Sequence, residues 1–405
     1  MEKQTNIPSL RFPEFSDEWE DKKLGDIAKF SKGKGISKSD ISTDGINECI
    51  RYGELYTRYG EVIKQVYSRT NIEVNKSVVS EANDVIIPAS GETQIDIATA
   101  SCVIKSGVIL GGDLNIIKTD NNGIFLSYYL NNKKKQDIAN LAQGISVVHL
   151  YSSQLALLNL NLPEKEEQTK IASFISKVDE KLTALKKKKE LLEQYKKGVM
   201  QQIFSQELRF KDDDGNDYPD WEDRKLCEVL KIQGGFAFKS SSFGHNGITK
   251  VLRIGDIKSS IDLDKFKGVY SEETPDKKYL VKKNDFLMAL SGATFGKVGK
   301  VVSEGIGHIN QRVATFRTNQ CLEYFFQLVQ SQDFKNYITS IPTASAQPNI
   351  SNDDIGNYIG LIPTENEQYK IANFLSTIDN KITYCQSQID KAEEWKKGLL
   401  QQLFC

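Results

Sequence analysis

The clearest hydrophobic pattern in this chain is a stripe with alternating spacings of three and four residues, and it occurs twice. In the first copy Ile171, Ile175, Val178, Leu182, Leu185, Leu192, Val199 and Ile203 lie on it, with Lys189 and Lys196 in the gaps. In the second, Ile371, Leu375, Ile378, Ile382, Cys385, Ile389, Ala392, Leu399 and Leu403 lie on it, with Lys396 in one gap. A stripe held for more than four heptads predicts a coiled-coil helix. Pro163 and Pro363, each followed by acidic residues, suit the first turn of such a helix. About 33 residues of seam correspond to roughly 50 Å of helix. Gly198 and Gly398 each cost up to about 1 kcal/mol inside a helix, which predicts a kink or a close approach there.

The two stripes belong to a longer repeat. Shifted by 200 positions without a gap, residues 162–204 and 362–404 are identical at about 18 of 43 positions, which marks a duplication. Further matches follow in the same order. Leu10-Arg11-Phe12 answers Leu208-Arg209-Phe210, and Trp19 answers Trp221. Arg51-Tyr52-Gly53-Glu54-Leu55 answers Arg253-Ile254-Gly255-Asp256-Ile257, and Ser90-Gly91-Glu92-Thr93 answers Ser291-Gly292-Ala293-Thr294. The chain therefore divides into a module over 1–161, a helix over 162–206, a second module over 207–361 and a second helix over 362–405.

Within the modules the pattern favours short strands. Val85-Ile86-Ile87 and Phe286-Leu287-Met288 are apolar runs ended by small residues, and 300–302 and 312–317 read as β segments. Glycine-rich turns fall at 32–35, 111–112 and 234–235. One helix per module is expected, at 124–132 and 322–330. The fold class is α+β: two similar α/β modules separated by two long helices, a pseudo-two-fold tandem repeat. Antiparallel pairing of the helices is favoured, with a module at each end. A parallel pairing would put both modules at one end.

Composition narrows the function. Of 405 residues, 39% are hydrophobic and 26% charged, which is ordinary for a soluble protein. No apolar run approaches the 18 residues of a membrane span, and the N-terminus lacks a signal-peptide core. Six scattered cysteines without a CxxC pair point to a reducing cytoplasm, and against disulfides and a zinc site. A net charge of −1 counts against a nucleic-acid partner, unless the basic residues gather locally.

No set of catalytic residues emerges. The base-gripping loop of an amino-methyltransferase needs Pro-Pro, which is absent. Gly292 to Gly296-Lys297 is one residue short of a phosphate-binding loop and lacks the following hydroxyl. His149, His245 and His308 are isolated, so no metal site is expected.

Two variable modules, each closed by a helix beginning L-P-x-x-x-E-Q-x-K-I-A, resemble the specificity subunit of type I restriction–modification systems. The match rests on Pro163, Glu167, Gln168, Lys170, Ile171 and Ala172, and again on Pro363, Glu367, Gln368, Lys370, Ile371 and Ala372. The segments at Trp19 and Trp221, the Ser-Gly-x-Thr segments and Leu252 to Ile257 extend it over essentially the whole chain. The resemblance implies that each module is a target-recognition domain reading half of a split double-stranded DNA site. The helices would then set the gap and dock two methyltransferase subunits. It also implies a non-catalytic chain without its own cofactor. S-adenosylmethionine, ATP and Mg would act on the modification subunits and on the restriction/translocase subunits.

Candidate DNA contacts follow from side-chain chemistry. Lys32 and Lys34 lie in a Gly/Ser-rich segment answered by Lys239 and Ser241, and such donors suit phosphates. Ser90, Thr93, Ser291 and Thr294 follow apolar strands, where they serve either as donors or as small turn residues. Lys297 follows them. Arg312, Gln347 and Asn349 can make bidentate base contacts. Arg51 and Arg253 recur in both halves, which favours a structural or phosphate-directed role. Glu167, Gln168, Lys170 and Gln201, repeated as Glu367, Gln368, Lys370 and Gln401, are candidates for partner docking. The run Lys186–Lys189 reads as a solvated face or as non-specific DNA contact. The competing interpretation is a coiled-coil adaptor joining two protein-binding modules without DNA.

Overall fold

The computed structural model describes residues 7–341 and 349–404. Its contacts divide into two compact units, residues 1–186 with 387–405, and residues 187–386. Both boundaries fall inside long helices.

Each unit is built on a five-stranded sheet of one topology. In the first unit the order is Ala28–Lys32, Leu114–Thr119, Asp84–Pro88, Ser101–Val103, Val62–Ile63. In the second it is Lys231–Gly234, Val313–Arg317, Phe286–Ala289, Val298–Val301, Ser260–Ile261. Neighbours run antiparallel except the last pair, which is parallel. The central strands are buried along their whole length, so they read as unbroken apolar runs. Period two still sorts their side chains. Val85 and Ile87 enter one core and Ile86 another, while Phe286 and Met288 part from Leu287 and Ala289 in the same way.

On one face of each sheet lies the expected helix, Gly123–Asn132 or Leu322–Leu328. Each packs its aromatic rings, Phe125 with Tyr129 or Tyr324 with Phe325, into the core that holds Trp19 or Trp221. A second helix follows in each module, Lys135–Leu141 and Gln332–Ser340. It was not expected: Lys135–Leu141 buries only Ile138 and Ala139, too few for a periodic signal, whereas Phe334, Tyr337, Ile338 and Ile341 do fall at helical spacing and were overlooked. Each module closes on a two-strand ladder, Glu20–Lys23 with Asn159–Leu162 and Glu222–Lys225 with Ile359–Ile362. That ladder hands the chain directly to a long helix.

The long helices run unbroken over Lys165–Phe204 and Glu365–Leu403. In the first unit Ile171, Ile175, Val178 and Leu182 share a core with Leu399, Leu400 and Leu403. In the second unit Val199, Met200 and Ile203 share one with Ile371, Leu375 and Ile378. Inside each unit the start of one helix therefore meets the end of the other, which is the antiparallel arrangement. The lysines in the seam gaps are paired. Lys196 Nζ lies 2.7 and 2.8 Å from the Asp379 oxygens, and Lys396 lies 2.7 Å from Asp179. Two more seam carboxylate bonds join them, from Gln327 to Asp379 at 2.8 Å and from the Tyr128 hydroxyl to Asp179. Polar layers of this kind hold a helix pair in register.

The close approach expected at the glycines is not found. Both helices continue through Gly198 and Gly398, and a Cβ added at either would meet nothing within 4 Å. No close approach requires a glycine there.

Candidate nucleic-acid interface

Antiparallel pairing gathers the ends of three strands at one edge of each sheet. In the second unit the end of Lys231–Gly234, the end of Phe286–Ala289 and the start of Val313–Arg317 meet, because Gly234 faces Ala314 and Ala289 faces Val313. Ser291 bridges to Asn349, and the Arg312 guanidinium donates to Asn349 Oδ1 at 3.0 Å. The Lys297 carbonyl accepts from Ala289 N, and the Asn310 amide donates to Leu252 O beside Arg253. The fold thus brings Arg253, Ser291, Thr294, Lys297, Arg312 and Asn349 to one edge. Gln347 lies outside the described residues.

The first unit repeats this edge. Here Lys32, Lys34, Arg51, Ser90 and Thr93 meet, with His149 paired to Ser90. Lys32 Nζ sits 5.8 Å over the Tyr151 ring, and His149 stacks on the same ring. Lys32, Lys34, His149 and Tyr151 are exposed, so a cation and two rings face outward together. That combination suits a phosphate with a neighbouring base or sugar.

Not every candidate stays available. Ser90 is buried in its ladder. The Thr93 hydroxyl caps the helix Gln94–Ile97, accepting from Asp96 N and donating to Asp96 Oδ2 at 2.6 Å. The Thr294 hydroxyl donates to Ile254 O at 3.2 Å. For these positions the turn explanation is the better one. Arg51 and Arg253 each precede a short helix whose third residue, Glu54 or Asp256, accepts from the arginine backbone N–H at 2.9 Å. The acid is what this motif requires structurally, and the Arg253 side chain stays exposed. Lys239 and Ser241 are exposed on a loop tied to Glu273, which takes bonds from Lys239 N and Ser242 Oγ. Those bonds hold the Glu273 carboxyl below its usual range.

The docking candidates divide. Glu167, Gln168, Glu367 and Gln368 are almost wholly buried, so contrary to expectation they offer no surface to a docking partner. Their repetition has an internal cause. Glu167 takes two bonds from Arg11, and Glu367 takes two from Arg209 and one from the Trp221 indole at 2.9 Å. Gln168 and Gln368 cap the module–helix junction through the carbonyls of Pro163 and Pro363. Lys170 lies over Phe12 and Lys370 over Tyr218. Gln201 and Gln401 are exposed. Sequence reading overlooked Tyr195 and Trp395, which stand 200 positions apart and are 53% and 52% exposed. Repetition of a half-exposed aromatic residue was the available signal. In the run Lys186–Lys189, Lys186, Lys187 and Lys189 pair with Glu393, Glu190 and Glu193.

Among the described residues no His, Cys, Asp and Glu side chains group so as to hold a metal ion, and no helix is long and apolar enough to cross a membrane.

Comparison with known proteins agrees with this architecture. The type I restriction modification DNA specificity domain matches twice, over residues 16–194 and 218–394. The type I restriction enzyme MjaVIII specificity subunit of Methanocaldococcus jannaschii is 26% identical over 409 residues, spanning 97% of this chain and 93% of that one. The putative MjaX specificity subunit of the same organism is 25% identical over 280 residues, 60% of this chain and 61% of its own. Among solved structures, the type I restriction–modification S subunit from M. genitalium superposes with a TM-score of 0.65 at 16% identity, covering 98% of this chain and 99% of that one. A chain from a type I R-M system structure gives 0.54 at 15%, over 95% and 97%. With two copies of one domain, each carrying its own sheet edge and closing helix, this chain belongs to the type I restriction modification DNA specificity family.

Proposed function

We propose that this chain is the DNA specificity subunit of a type I restriction–modification complex, each module reading one half of a bipartite, asymmetric duplex target. What supports this most is the contrast between the repeats. The same backbone edge is built twice, yet Lys32, His149 and Tyr151 stand in one copy where Gly234, Asn349 and Ser351 stand in the other. A scaffold kept constant under changing side chains suits two different half-sites.

In this reading the long helices set the gap between half-sites and present the docking face for two methyltransferase subunits. Tyr195, Trp395, Gln201 and Gln401 are exposed repeated residues available for that contact, whereas Lys170 and the half-buried Lys370 are already paired with Glu14 and Asp213. Chemistry with S-adenosylmethionine, ATP and Mg is placed on those subunits and on restriction/translocase subunits, and this chain contributes recognition.

The test is methylation mapping of DNA from cells expressing this chain with its modification subunits. One split motif with two different halves is expected. Methylation without sequence preference would overturn the proposal.

A further inference from the structure

The turn that precedes the second strand of each sheet is suspended by the same backbone bonds in both units. Gly111 N donates to Ile50 O, and Asn310 N donates to Leu252 O, at 2.9 Å in each case. Lys34 N bonds Leu110 O as Phe236 N bonds Ile309 O. Asp113 O accepts from Ala89 N at 2.8 Å as Arg312 O accepts from Leu290 N at 2.9 Å. Leu150 N then bonds Ala89 O as Ile350 N bonds Leu290 O, both at 3.0 Å. Even the close approach recurs: a Cβ on Gly33 would stand 1.9 Å from Gly111 O, and one on Gly235 would stand 2.0 Å from Asn310 O. Gly111-Gly112-Asp113 and Asn310-Gln311-Arg312 are therefore one turn written in two side-chain sets.

The last residue of the turn is exposed in both units, and its chemistry is inverted. Arg312 is a donor only, and a single nitrogen of its fork is steadied by Asn349. Asp113 is an acceptor only, and among the described residues its carboxylate has no ion pair or hydrogen bond. It lies two residues before Asn115, which faces exposed Lys32 across the ladder, and the turn that ends on it takes the Lys34 N–H at Leu110 O. A carboxylate on a surface facing phosphates repels them, so its presence there is favourable where it meets a hydrogen-bond donor. In a duplex groove the donors are exocyclic amines.

Resting on the specificity reading, we propose that Asp113 and Arg312 are the equivalent base-reading positions of the two modules. Asp113 accepts from the exocyclic amine of a cytosine or adenine in one half-site. Arg312 donates to the O6 and N7 of a guanine in the other. The glycines beside Asp113 let that backbone approach the groove closely, whereas Asn310 and Gln311 stand out from the same points in the second module.

The experiment selects a randomised duplex library on the full chain assembled with its modification subunits. It compares wild type with Asp113→Ala and Arg312→Gln, each checked for native melting behaviour. Each variant is expected to lose roughly 10- to 100-fold discrimination at one base pair. The two affected pairs should lie in different half-sites, with the rest of the motif unchanged. An unchanged motif, or a uniform loss over all sequences, would overturn the assignment. A substitution that blocks folding is replaced by Asp113→Asn or Arg312→Lys, read against the same two outcomes. If wild type selects no split motif at all, it is the specificity reading that fails, and the wild-type arm shows this by itself.

Discussion

The Arg11 guanidinium donates to both oxygens of the Glu167 carboxylate, at 2.8 and 2.7 Å, and Glu167 is wholly buried. The link joins the first segment of the module to the first turn of its helix, 156 residues later. Arg209 and Glu367 repeat it in the second unit. Removing one partner of a buried pair leaves the other charge uncompensated. Glu167→Ala is expected to cost about 3 kcal/mol in urea unfolding. Glu367→Ala should cost about 1 kcal/mol more, since the Trp221 indole also loses its acceptor. Equal midpoints for both variants and wild type would show that the junction adds no stability.

Gly198 and Gly398 provide a test of opposite sign. With open space at both Cβ positions, alanine relieves a helix-propensity deficit and creates no clash. Gly198→Ala and Gly398→Ala should each stabilise by up to about 1 kcal/mol. The thermal midpoint of the intact chain measures this, and a fall on substitution would mean that a partner or a bend uses the glycine.

Thiol reactivity should be confined. Burial pushes the Cys49 thiol up to about 11 and the Cys102 thiol up to about 12, so neither supplies thiolate near pH 8. Cys227 is exposed, and it is the exposed one among the described free cysteines. In a Cys405→Ser background one thiol should react quickly with Ellman's reagent, and Cys227→Ser should abolish that signal. Urea should release the remainder. Fast reaction of two or more native thiols would contradict the burial of Cys49, Cys102, Cys321 and Cys385.

Lys32 is placed to meet a phosphate, with its ammonium over the Tyr151 ring. Lys32→Ala should weaken DNA binding about equally on all sequences, and should lower the slope of log affinity against log salt by about 1. Binding assays at several salt concentrations measure this. A change of base preference with an unchanged slope would place Lys32 on a base edge instead.

The sequence by itself determined the duplication, the two long helices and the apolar central strands. These signals are periodic or repeated, so they survive without knowledge of any neighbour. It also marked Glu167 and Gln168 as repeated, but repetition does not separate an exposed docking face from a buried junction. Only the tertiary structure did so, because burial depends on Arg11, which lies 156 residues away in the chain. The same limit applied to the recognition edge. Arg312 and Asn349 stood out as individual residues, while Asp113 did not. Its equivalence to Arg312 is carried by backbone hydrogen bonds that no residue identity records. Side-chain pattern fixed which elements form, and long-range pairing decided which side chains share a surface.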